Sequence, residues 1–136
     1  MIGQTLAGKL ATNFGKPDNI ATLLAPDARW SLPACLPFVH PIEGREAIVA
    51  TMRRIWSEIY RSDVSVEICD ELGDDRLSAV RFAYRAFSLE KSDWYVNDFT
   101  LFARGSADGA KEVFELFDTV RTLDFFRGEP TRWKGM

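Results

Sequence analysis

The sequence holds one histidine, His40, and two cysteines, Cys35 and Cys69, in 136 residues. Two thiols so far apart suit reduced, partly buried side chains better than a disulfide framework, and a single imidazole leaves too few soft ligands for a zinc cluster. Charge of one sign is missing too: 17 Lys and Arg stand against 20 Asp and Glu, a formal net charge of −3, with the basic residues scattered. The electrostatic footprint of a nucleic-acid binder is therefore absent. No uninterrupted apolar stretch approaches the ~20 residues of a membrane span. The opening "MIGQTLAGKLATNFGK" lacks both a basic start with a long apolar run and a small-residue cleavage site, which leaves no visible export signal. The expectation is a soluble cytoplasmic protein without nucleic-acid or membrane partners. A glycine-rich phosphate loop, a metal cluster and a nucleophile motif are all lacking, so no cofactor is implied.

Aromatic side chains are plentiful instead: ten Phe, four Trp and three Tyr, within a composition that is 46% hydrophobic and 27% charged. That balance belongs to an ordinary globular chain, and the length predicts one domain, 1–136, with a single core. Aromatic residues fill thick cores and also line apolar ligand cavities, and composition does not separate the two uses.

Helical patterns come early and strand patterns late. Leu6, Leu10, Ala11 and Phe14 recur at helical spacing and predict a first helix ending near Gly15. In "PDNIATLLAP", Asp18 serves as an N-cap and Pro26 as a stop for a short second helix. "ARWSL" alternates as a half-buried strand, and "PACLPFVHPIEG" reads as an ordered loop. A third helix is expected from about Arg45 to Tyr60, with Ile48, Met52, Ile55 and Ile59 on one face and Trp56 beside them. Then "VSVEI", a turn in "ELGDDR", "LSAVRFAYRAFSL", "WYVNDFTLFAR" and "EVFELFDTVRTL" predict a meander of long strands. Val80, Phe82, Tyr84 and Ala86 share one face of their strand, with Arg81 and Arg85 turned outward. On the last strand the pattern sets Phe114, Leu116, Asp118 and Val120 against Val113, Glu115, Phe117 and Thr119, and the first set is taken as the apolar face. The fold class is α+β, a curved antiparallel sheet packed against helices from the N-terminal half.

With that element order, "LLAPDARW" before the first strand, the "LP" pairs of the loop, "GREAI" opening the third helix and the closing "ELFDT" resemble the nuclear transport factor 2-like (NTF2-like) superfamily, in its SnoaL-like and ketosteroid isomerase-like branch. The resemblance spans nearly the whole chain. It implies a cone-shaped curved antiparallel β-sheet closed by three α-helices (a cystatin-like or NTF2-like roll), a mostly apolar interior pocket for a hydrophobic small molecule, and a homodimer formed through the sheet. In isomerase-like members an inward aspartate donates to the substrate oxygen, and "DFTLF" looks like that segment, which makes Asp98 the matching position. The general base of those members precedes a proline on the first strand, where "WSLP" has Leu32, so steroid isomerisation by that route is not expected. The pair used by epoxide hydrolase-like members is incomplete in "RFA", and His40 matches no histidine of the dehydratase-like members.

An aspartate among Val96, Phe99, Leu101 and Phe102 must be solvated, hydrogen-bonded or protonated. Asp98 is therefore either a neutral donor inside the cone or an exposed carboxylate paired with an arginine of a neighbouring strand. His40 is a candidate acid or base by its ordinary pKa, or a plain loop residue. Asp118 is a candidate proton acceptor, or a cap at the sheet rim. Tyr60 and Tyr84 could donate to a ligand oxygen, or only satisfy their own hydroxyls, and Trp30, Leu32, Trp56 and Trp94 are pocket-wall positions that could equally be core. Two functions follow: a cofactor-independent lyase, isomerase, cyclase or hydrolase acting on a hydrophobic oxygen-bearing substrate, or a non-catalytic ligand-binding or dimerisation domain. An enzyme needs two titratable groups converging on one substrate position, and a binder needs none.

Overall fold

The computed structural model describes residues 3–36, 41–106 and 108–127. Helix α1 (Leu6–Thr12) starts at Thr5, whose hydroxyl accepts from the Gly8 N–H, and it buries Ala7, Leu10 and Ala11. Glu71 reaches across from the sheet to hold this start. Its carboxylate accepts from the N–H groups of Gly3 (2.6 Å), Gln4 (3.0 Å) and Thr5 (2.8 Å) and from the Thr5 hydroxyl (2.6 Å). Gly8 makes room for that approach, since a Cβ there would overlap Glu71 Oε2. The short helix α2 (Pro17–Ala21) has its proline in the first turn, where the missing N–H costs nothing.

Strand β1 (Leu24–Ser31) follows directly, so Pro26 lies inside a strand and does not end a helix; it is exposed, where no ladder partner is required of it. After β2 (Ile42–Glu43), helix α3 (Arg45–Arg54) buries Ile48, Val49 and Met52. The helix does not continue regularly to Tyr60. Residues Ile55–Ile59 widen into a π turn, closed by a hydrogen bond from the Tyr60 N–H to the Ile55 carbonyl (2.9 Å). Such a turn inserts one extra residue into the helical path and redirects the side chains that follow.

The remaining strands are β3 (Ser65–Gly73), β4 (Leu77–Ser88), β5 (Asp93–Ser106) and β6 (Gly109–Phe117). They form one open, mixed sheet of six strands in the order β2-β1-β6-β5-β4-β3, in which β1 runs parallel to β6 and all other neighbours are antiparallel. Register shifts between Ile68 and Asp70 and between Arg104 and Gly105 bend the ladder, as bulges do. The architecture is the α+β cone expected. A fourth helix, α4 (Thr119–Phe126), lies where the last strand was expected to continue. Asp118 caps it by accepting from the Arg121 N–H (3.1 Å), and Thr122 and Phe126, one turn apart, are buried.

The inner face of the sheet and the helices share one core. Phe14, at the end of α1, is its hub, with ring centroids 5.3 Å from Phe82, 5.4 Å from Trp56, 6.0 Å from Tyr84 and 6.3 Å from both Trp30 and Phe99. No helix among the described residues is long and apolar enough to cross a membrane.

A buried glutamic acid in an aromatic cavity

Inward positions of three strands supply walls of a cavity, Tyr84 of β4, Tyr95 and Phe99 of β5, and Glu115 and Phe117 of β6, each alternating with more exposed residues. Trp30 comes from β1 and Trp56 and Tyr60 from the π turn and its end. The enclosed part is about 40 Å³, room for a few water molecules. Leu32, Leu36, Ile42 and Ile55 line it too, and with the open solvent in front of it the empty space comes to about 560 Å³.

Glu115 is the one carboxyl among the described lining residues, and it is 8% exposed. Its Oε1 accepts from the Trp30 indole N–H at 3.1 Å, and among the described residues Oε2 has no partner. Burial pushes its pKa from 4.5 up to about 8, with the Trp30 hydrogen bond opposing the rise. At pH 7 the neutral acid therefore outweighs the carboxylate by about ten to one. In this environment Glu115 is a proton donor, the reverse of an ordinary surface glutamate.

Tyrosines surround it. The Tyr84 hydroxyl accepts from the Trp56 indole N–H at 3.0 Å, and its own proton has no acceptor among the described residues. Tyr60 stacks on Tyr95 (centroids 5.6 Å, 21°) and meets Tyr84 edge-on (5.7 Å). Burial, with the nearby Glu115 carboxyl adding to it, raises Tyr60 and Tyr84 well above the usual tyrosine value and Tyr95 to about 12, so all three are neutral donors across the physiological range. The Tyr95 hydroxyl is already engaged: it takes a hydrogen bond from Asn97 Nδ2 (2.7 Å) and shares one with Thr122 Oγ1 (2.7 Å). Asn97 also donates to the Asp118 carbonyl (2.9 Å), tying β5 to the start of α4.

Trp30, Leu32, Trp56, Tyr60 and Tyr84 line this cavity. Asp98 does not point into it. Tyr95, Asn97 and Phe99 take the inward positions of β5, which leaves Asp98 exposed on the outer face, where it adds to the field holding Arg81 protonated behind that arginine's hydrogen bond to Asp70 (2.9 Å). Asp118 is likewise exposed, because β6 turns Val113, Glu115 and Phe117 inward and Phe114 and Leu116 outward, the reverse of the expected facing. Trp94 packs on the outside, with the Arg85 guanidinium 3.7 Å from its ring centre and the Phe87 ring 5.5 Å away. His40 lies outside the described residues. Glu115 was missed because its strand carries more apolar bulk on the outer face than on the inner one; the signal for it was a glutamate between Val113 and Phe117 on a shared face.

Solved structures with this fold include a hypothetical protein with a ketosteroid isomerase-like fold from Catenulispora acidiphila in complex with trimethylamine, at a TM-score of 0.74 and 15% identity over 89% of this chain and 91% of that one. Two others are candidate polyketide cyclases. IdmH from Streptomyces antibioticus has a TM-score of 0.68 and 20% identity over 85% of this chain and 91% of its own. The SnoaL-like protein from Jannaschia has a TM-score of 0.68 and 11% identity over 85% and 84%. No curated protein matches the sequence. The model of the SnoaL-like domain matches residues 10–129, which take in every element from within α1 through α4, and the chain therefore belongs to the SnoaL-like domain family.

Proposed function

We propose that the protein is a cofactor-independent acid catalyst for a hydrophobic, oxygen-bearing small molecule, and that Glu115 carries the proton. One observation supports this above the others: a carboxyl group held neutral by burial, with one oxygen unpartnered among the described residues, faces a cavity whose other polar side chains carry hydroxyls or indole N–H groups. A neutral acid at a substrate carbonyl or leaving oxygen stabilises negative charge as it develops and can pass on a proton, which suits the lyase, isomerase, cyclase and hydrolase classes alike. The likeness to candidate polyketide cyclases favours a cyclase among the four. The exposed Asp98 and Asp118 have no part in this reading.

A second reading, a ligand-binding domain that leaves its ligand unchanged, is favoured by the lack of a second carboxyl or a basic side chain among the described lining residues. In either case we infer a homodimer formed through the outer face of the sheet, where Leu77, Phe102, Phe114 and Leu116 are 40% exposed or more. A cytoplasmic location fits the two free thiols. The test is a panel of hydrophobic ketones, esters and epoxides assayed for turnover between pH 6 and 10. Turnover that is lost above about pH 8 and abolished by Glu115→Gln supports the enzyme; tight ligands without turnover leave the binder.

A further inference from the structure

Glu115 and Tyr84 share a feature that neither burial nor packing requires. In each, one acceptor oxygen is engaged by an indole N–H, Trp30 on Glu115 Oε1 at 3.1 Å and Trp56 on the Tyr84 hydroxyl at 3.0 Å. An indole nitrogen only donates, so both contacts have one possible direction. The carbonyl oxygen of a carboxylic acid is its better acceptor, which leaves the acid proton on Oε2, and the phenol proton of Tyr84 is likewise left over. Both protons lack an acceptor among the described residues, and both groups line the same cavity.

We propose that Trp30 and Trp56 are positioning residues that aim two separate hydroxyl protons, those of Glu115 and Tyr84, into the cavity, so that the site takes an uncharged ligand through two acceptor oxygens. This rests on the reading of Glu115 as a neutral acid. Two oxygens are called for because the donors are apart on the sheet: Glu115 on β6 stands opposite Leu101, whereas Tyr84 on β4 stands opposite Asn97, four residues away along the intervening β5. The ligand is uncharged because the described lining holds no Lys, Arg or His to meet an anion, and a cation would face two protons.

The groups around Glu115 allow a clean titration. Tyr60 from the π turn, Tyr84 from β4 and Tyr95 from β5 all titrate above it, β1 presents Trp30, α3 presents Met52, and Cys35, near Tyr95, has its thiol pushed up by burial. Between pH 6 and 9 the expected change in the cavity is therefore that of Glu115.

The probe is cyclohexane-1,4-dione labelled with carbon-13 at its carbonyls, with tetramethylammonium as the charged counterpart. Bound dione should show both carbonyl stretches lowered, and its affinity should fall about tenfold per pH unit above pH 8. Trp30→Phe should relax one stretch and move the affinity midpoint up by about one pH unit, the size of one hydrogen bond to a charged group. Trp56→Phe should relax the other stretch and leave the midpoint in place. In the unliganded wild type, which needs no folded variant, the Trp30 indole proton resonance should shift as Glu115 ionises, and the Trp56 resonance should not. The proposal is overturned by a dione that does not bind, by a single lowered stretch, by a silent Trp30 resonance, or by tetramethylammonium binding more tightly than the dione at pH 6, where Glu115 carries its proton. If affinity still falls above pH 8 and Glu115→Gln flattens it while both tryptophan replacements are without effect, the positioning role fails and the neutral acid stands. Affinity that is flat from pH 6 to 9.5, together with a stability difference between Glu115→Gln and wild type that is level over the same range, removes the neutral acid itself.

Discussion

Replacing Glu115 with Gln should change how stability depends on pH more than it changes stability at any one pH. The folded protein holds this carboxyl at about 8, against 4.5 for the free group. Between those values the folded state binds a proton that the unfolded chain has released, so the stability that Glu115 contributes is full below about pH 4.5 and falls as pH rises toward 8. Each pH unit is worth about 1.4 kcal/mol, and the whole window about 4 kcal/mol. Gln cannot titrate, and its amide oxygen can still accept from Trp30. Its amide N–H₂, left without an acceptor, adds a constant cost of about 1–3 kcal/mol. The quantity to measure is the difference between variant and wild type in urea denaturation, followed by circular dichroism at half-unit steps from pH 4.5 to 9. That difference should move in favour of the variant by about 4 kcal/mol across the window and be level outside it. Glu71 works with the opposite sign: burial alone would raise its pKa, but the hydrogen bonds from Thr5, Gly3 and Gln4 outweigh that and lower it, so its contribution is lost in acid. Because Glu71 is present in both proteins, it cancels. A difference that stays level from pH 4.5 to 9 would mean that Glu115 is ionised in the folded protein, and the acid-catalyst reading would go with it.

Glu71→Gln should loosen the start of α1 and cost about 1–3 kcal/mol by urea denaturation at pH 7, since charge-assisted bonds from three N–H groups and a hydroxyl are replaced by weaker ones; no loss would show that the residues before α1 are held by other contacts. Leu116→Lys places a charge on the outer sheet face, where the side chain is 52% exposed, and should give a monomer in sedimentation velocity with an unchanged circular dichroism spectrum. A wild type that already sediments as a monomer would dispose of the dimer. Asp98→Asn should leave both the melting temperature and dione binding as they are, because the side chain is exposed on the face away from the cavity; weakened binding would contradict that facing. Asp118→Ala removes the N-cap of α4 and should cost about 1 kcal/mol, read as a lower urea midpoint.

The α+β order and the inward face of β4 were legible because Arg81 and Arg85 mark the solvent side unmistakably. No such mark exists on β5, where Val96 and Phe102 are 44% and 40% exposed although apolar, so alternation did not decide between Asn97 and Asp98. On β6 the pattern misled: Phe114 and Leu116 give the outer face more apolar bulk than the inner one, and the buried acid was read as the exposed residue. Helix α4 hid behind the same alternation, since "FDTVRTL" continues a period of two on paper while Thr122 and Phe126 bury at a period of four. Patterning assumes that apolar means inward, and it fails where a sheet keeps apolar side chains on its outer face.

The extra residue of the π turn makes chain length between Arg54 and Tyr60 a property in its own right. A helix tolerates many exchanges of one side chain for another, and Ser57 and Glu58 are exposed enough to accept them. Losing a single residue there is another matter: the segment could relax into a regular helix with every backbone group satisfied, yet Tyr60 would arrive about a quarter-turn away from the cavity. In this stretch, then, variation by substitution is cheap and variation by deletion is not, and descendants of this sequence that keep the site should differ here in letters but not in count.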